Sequence, residues 1–172
     1  MLGEIERYNE SGFQDSHTRI WIDSDRAPVD HSGTDLDTLF RFWKERSLIE
    51  NDVPSVAAFH SPLAHLPWVD VSAINPLRYT MRNHPAGVCG NWDGAPFADH
   101  AAQTHARALA REYFNCKTLR APAYIHTEQT MLGVDREYAK LLVPLADETG
   151  AITRVAYAWR FVRDPIALSR TN

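Results

Sequence analysis

Eight histidines and two cysteines are the side chains of this 172-residue sequence with the widest chemical range. A histidine on a helix can ligate a haem iron or a metal ion. A cysteine can act as a nucleophile where its surroundings lower the thiol pKa and leave it accessible. His100 and His105 fall in ADHAAQTHARALAREYFNC, which has helical spacing from about Asp99 to Cys116. At about 100° per residue, His100 lies opposite the stripe of Ala102, Ala106, Leu109 and Tyr113, whereas His105 flanks it. His105 is thus the inward candidate of the two, and its plainer reading is a boundary histidine beside the core. His126, on a later strand, is read the same way. Cys89 and Cys116 have no paired metal-ligand spacing and make no disulfide framework, so both are expected as reduced thiols. No Gly-rich phosphate loop, G-x-S-x-G elbow, H-E-x-x-H pair or C-x-x-C motif is present. The expectation is a non-enzyme without catalytic or metal-binding residues, its cofactor left open.

Composition narrows the partners. Hydrophobic residues make up 44% and charged residues 23%, ordinary for a globular domain, and the net charge of -4 gives no attraction for nucleic acid or an anionic membrane. No apolar run approaches the roughly 20 residues that span a bilayer. The segment MLGEIERYNESG lacks the basic and apolar regions of a secretion signal, so a cytoplasmic location is expected.

The elements that must position these residues follow from periodicity. Residues 1–33 form a polar extension in which the alternation of Arg19, Ile20, Trp21, Ile22 and Asp23 marks one segment able to dock on the domain or on a second copy. Thr34 opens a helix with Asp35 and Asp37 in its first turn, where the helix dipole favours negative charge. Leu36, Leu39, Phe40 and Trp43 form one narrow apolar stripe on it. The pattern fails near Asn51, and Pro54 turns the chain extended. Trp68 to Val71 and Leu77 to Met81 read as two short neighbouring strands. Asn83 to Pro96 is a loop region. The long helix follows, then a strand from Ala123 to Thr130. A hairpin from Arg136 to Val162 closes the domain, turning at ADETGA with Gly150 at a positive φ. Period-two alternation in both arms predicts one apolar, aromatic face that needs a cover. The domain is expected over 34–164, with a tail at 165–172, in the α+β class.

The LFRFW helix, Val53-Pro54, Ser61-Pro62-Leu63, Leu66-Pro67 followed by Trp68 and Asp70, the Arg78-Tyr79 strand and Leu142-Val143-Pro144-Leu145 occur in an order that resembles stand-alone PAS proteins of alphaproteobacteria. The resemblance covers about residues 36 to 162 and departs after the second strand, at Arg82-Asn83-His84-Pro85. It implies a PAS fold: a five-stranded antiparallel sheet in the order 2-1-5-4-3, covered on one face by helices, with an N-terminal helical extension. It also implies a small cavity, whose ligand-binding candidates are Tyr79, Met81, Trp92, His105, Tyr113, Leu141, Tyr157 and Trp159. Each of these can equally be core packing. Leu36, Leu39, Phe40 and Trp43 become candidates for a homodimer interface, against the alternative that they cover their own sheet. With no output domain, a sensory or regulatory module of this kind needs a signalling protein partner. Cys89 sits in a region where flavin-binding relatives carry a reactive cysteine, but Gly90, Asn91 and Trp92 follow it here, unlike the sequence in those proteins.

Two other classes stay open. A small enzyme with a cone-like α+β fold would need an acid/base group inside its cavity, for which Asp70 and His126 are the nearby candidates. A purely structural interaction protein would have no responsive pocket.

Overall fold

The computed structural model describes residues 2–8, 15–59, 63–85, 93–100, 102–131 and 133–167. Cys89 and Trp92 lie outside them. The chain forms strands β1 (Leu2–Tyr8) and β2 (Asp15–Ile22), helices α1 (Ala27–Asp30), α2 (Asp35–Glu50) and α3 (Val56–Phe59), and strands β3 (Trp68–Asp70) and β4 (Thr80–Arg82). Helix α4 (Gln103–Leu119) and strands β5 (Ala123–Met131), β6 (Val134–Ala146) and β7 (Ile152–Ala167) follow. The strands form one antiparallel sheet in the order β1-β2-β5-β6-β7-β3-β4. This is the α+β architecture expected from the segregation of helices and strands. None of its described helices is long and apolar enough to cross a membrane.

The sheet has seven strands rather than five, because the N-terminal extension joins it. The Arg19–Asp23 alternation is a docking segment: β2 pairs with β5, Arg19 opposite Thr127 and Ile20 opposite His126. The described part of residues 1–33 is therefore not a helical extension alone: two strands that join the sheet precede a short 3-10 turn and α1. At the other end β7 continues to Ala167, past the expected start of the tail.

Helices cover both faces of the sheet, not one. On β6, Leu142 faces the α4 side, while Ala139, Leu141, Val143 and Leu145 face the α2 side. On β7, Val155 and Tyr157 face α4, and Ala156 and Ala158 face α2. Both parities of β6 are buried from Ala139 to Ala146, so this central strand lies inside the molecule on both faces. The hairpin turn itself follows its sequence. Asp147 Oδ1 accepts hydrogen bonds from the Thr149 amide at 2.9 Å and hydroxyl at 2.7 Å, and Gly150 takes φ +81°.

Helix α2 spends its stripe on its own sheet. Leu36, Leu39 and Phe40 are buried in the cluster with Leu141, Val143 and Ala156, and Trp43 packs at its margin. These side chains are not a free surface for a second copy. Thr34 occupies the N-cap position but its hydroxyl donates back to the His31 carbonyl at 2.6 Å, while the Asp37 carboxylate accepts the Gly33 amide at 2.9 Å. The helix ends at Asn51, in the left-handed conformation with φ 53°. Leu39→Ala should cost about 2–5 kcal/mol in urea unfolding, the usual range for a large-to-small change in a packed core. Light scattering should show no change in its oligomeric state, since Leu39 faces β6 and β7. A shift in subunit number at unchanged stability would contradict this placement.

Candidate functional site

Between α4 and the sheet lies a cavity of about 80 Å³. Measured in this way a single water needs roughly 10–15 Å³, so there is room for several waters or a small organic molecule. Leu109 and Tyr113 reach it from α4; Gln129 from β5; Arg136, Tyr138 and Lys140 from β6; Tyr157, Trp159 and Phe161 from β7. Met81, His84, His100 and His105 complete the lining. Antiparallel register sets this grouping: Lys140 opposes Trp159, Tyr138 opposes Phe161 and Leu142 opposes Tyr157, so all six project from the α4 face.

Of the eight residues expected to bind a ligand, Met81, His105, Tyr113, Tyr157 and Trp159 line this cavity. Leu141 does not, because it opposes Ala158 and both point to the α2 face. A one-residue offset on a strand is a change of face. Tyr79 is also excluded. Its ring packs against Phe97 at 6.5 Å between centroids, within the core, and its buried hydroxyl has no hydrogen-bond partner among the described residues. Trp92 is not among the described residues.

Lys140 connects the lining to a buried ionic cluster that the sequence reading missed. Glu112 on α4 accepts from Arg19 Nε through one carboxylate oxygen and from Lys140 Nζ through the other. All three side chains are buried. Burial alone would raise the Glu112 pKa, but Lys140 and Arg19 outweigh it and hold the carboxyl below its ordinary value. Burial lowers Lys140, with Glu112 opposing the shift. The Lys140 ammonium also lies 5.4 Å from the centre of the Tyr113 ring.

Three imidazoles also line the cavity. Arg19 Nη2 stands 3.3 Å from His105 Nδ1, and since a guanidinium can only donate, Nδ1 is the acceptor and the His105 proton sits on Nε2. His100 precedes the helix, which begins at Gln103, so the helical-wheel placement opposite the stripe does not hold. It is buried, its Nδ1 accepts the Ala102 amide at 2.9 Å, and its ring centroid lies 5.1 Å from that of His105. His84 Nδ1 lies 2.6 Å from the Tyr157 hydroxyl. Burial first, then Arg19, places His105 well below the ordinary histidine value, and burial also lowers His84. His84 and His105 thus present neutral rings at neutral pH.

Comparison with known proteins adds no assignment: the chain matches no family model, no curated protein and no solved structure.

Other chemistry-bearing residues fall elsewhere. Cys116 is a buried, reduced thiol whose pKa burial pushes up, an inert setting. Asp70, on β3, accepts from the Ser72 amide at 3.0 Å. His126, on β5, pairs with Glu137 at 3.3 Å, and β6 and β7 separate their two strands. Asp70 and His126 therefore do not meet. Glu128 joins His126 and Glu137 in a group whose ligand atoms lie within 4.8 Å of one another, with Arg163 beside Glu137 at 3.6 Å. A second, open depression outside α4 is lined by Pro76, Leu77, Arg107, Ala110, Arg111 and Phe114.

The missed residues left one readable signal. Lys140 interrupts the apolar run between Ala139 and Leu141 in the middle of a strand. A cation there, inside the sheet, requires a buried counter-charge or a ligand. Glu112 gives no such sign, since a glutamate on a helix is ordinarily solvated.

Proposed function

We propose that this protein is a PAS-type sensory or regulatory module that binds a small molecule in the cavity under α4 and passes its state to a signalling partner, with no catalytic step of its own. The observation that carries the reading is the cavity itself, walled by aromatic rings and imidazoles and set between a long helix and the sheet. The strand order supports it. Taken alone, β3 to β7 lie as β4-β3-β7-β6-β5, the 2-1-5-4-3 order that the resemblance implies. Strands β1 and β2 then extend the sheet beyond β5. A homodimer in this reading uses a surface other than the α2 stripe, and the exposed Leu48 and Ile49 near the end of that helix are apolar residues available for it.

The electrostatics weigh against the cone-like enzyme. Buried ionisable groups are present, but proton transfer near pH 7 works best with a pKa near 7. Glu112 is held ionised by two cations, and His105 is held neutral by burial and Arg19. Both are locked in one state, which suits binding better than proton exchange.

Native mass spectrometry of the protein as purified, with a thermal-shift screen of small metabolites, tests the reading. The expected result is a retained small molecule or a screen compound that raises the unfolding midpoint with concentration, as ligand linkage requires. Trp159→Ala should weaken that response at least tenfold. Stabilisation that survives unchanged in Trp159→Ala would place binding elsewhere.

A further inference from the structure

The polar groups facing the cavity are matched to one kind of ligand. His105 is buried, its Nδ1 occupied by Arg19, and its Nε2–H has no partner among the described residues. Tyr113 is 1% exposed, lines the same cavity, and its hydroxyl likewise makes no hydrogen bond among the described residues. Lys140 spends one of its three N–H donors on Glu112. Arg136 adds a second cation to the lining, and no carboxylate is among the described lining residues. The remaining walls are apolar or aromatic: Met81, Leu109, Trp159 and Phe161.

Resting on the small-molecule reading above, we propose that the ligand is a small organic anion, a carboxylate on an aromatic or short hydrocarbon body. The carboxylate takes the His105 Nε2–H, the Tyr113 hydroxyl and a spare N–H of Lys140. The body lies against Trp159 and Phe161, whose rings stand edge to face at 5.0 Å. Burying donors without acceptors is costly, and an anion supplies the acceptors. A cationic ligand would meet Lys140, which shares the single Glu112 carboxylate with Arg19 and so leaves the cluster with an excess positive charge.

Isothermal titration calorimetry at pH 7 and low salt, on the intact chain, can test this with three matched series. The probes are benzoate, phenylacetate and pentanoate, each with its amide and its primary amine. The expected result is that at least one carboxylate binds tenfold or more tightly than its amide, with no binding of the corresponding amine. Tyr113→Phe keeps the ring and should reduce carboxylate affinity several-fold, and Lys140→Met should bring the acid and amide within about threefold of each other. Circular dichroism confirms that each variant is folded. If amides or amines bind as well as the acids, the cavity is a ligand site but not for anions, and this inference fails alone. If nothing in any series binds at millimolar concentration, the small-molecule reading of the cavity falls, and this inference with it.

Discussion

Glu112→Gln is expected to lose about 3–5 kcal/mol of unfolding free energy, the range for removing one partner of a buried ion pair. Glutamine nearly matches glutamate in shape, so the loss reports charge rather than volume. In the native protein one carboxylate serves two buried cations, Arg19 and Lys140. Without it, Lys140 can shed its proton, which burial already favours. Arg19 cannot, because a guanidinium stays charged in a protein. Lys140→Met in the Glu112→Gln background should restore part of the loss, since it removes a buried amine that has lost its charged partner. Urea denaturation of the four members of this cycle measures the coupling. A Glu112→Gln loss below about 1 kcal/mol would mean that the carboxylate is not the hub of the network.

Acid should destabilise the protein as the pH falls below about 6.5, through histidines that the fold holds neutral. His17 is pulled from 6.5 to about 4, first by burial and then by Arg19, and His105 lies well below 6.5 for the same two leading reasons. A histidine with a lowered folded pKa is neutral in the native state and takes up a proton on unfolding. Its stabilising contribution is complete above about pH 6.5 and is lost as the pH falls through the folded value. At pH 4.5 His17 alone should cost about 2–3 kcal/mol relative to pH 7. For a chain of this size that is roughly 5–10 °C in the melting temperature, with His105 adding to it. Asp37, Asp52 and Asp147 have lowered values as well, so their contributions disappear only at lower pH and do not mask the window. Calorimetric melts from pH 7.5 to 4.5 check the slope, and His17→Asn should flatten it. A constant midpoint between pH 7 and 5 would show that neither histidine is held neutral.

How much of this was legible in the sequence depends on the kind of information required. Helices α2 and α4 and the closing hairpin were readable because apolar spacing repeats over many residues in each. The grouping of Met81, His105, Tyr113, Tyr157 and Trp159 followed from the PAS resemblance, which supplied the cavity that periodicity alone does not show. Leu141 was misplaced because alternation within one arm does not say which residue opposes which on the other. The observed register sets it against Ala158, one step from the Leu142–Tyr157 pair, and one step is the whole thickness of the sheet. That the two helices cover opposite faces was missed for a related reason. Leu141 was grouped with Tyr157 on one apolar face, so a single covered face was expected. Glu112, Arg19 and His100 were invisible because their roles come from tertiary partners, not from local pattern. His100 was misread outright, since a helix starting at Gln103 leaves it in the preceding turn.

Strand β2 also sets the order in which the site can be built. Arg19 and Glu112 are 93 positions apart, and Lys140 comes a further 28 residues along. Closing loops of that length is entropically slow, and contacts of this kind form late in a folding reaction. While the chain is being synthesised, Arg19 waits for a carboxylate that has not yet been made, and the carboxylate in turn waits for Lys140. The cavity is therefore absent from every partial chain that stops short of the closing hairpin, and ligand cannot assist folding until the sheet is nearly whole.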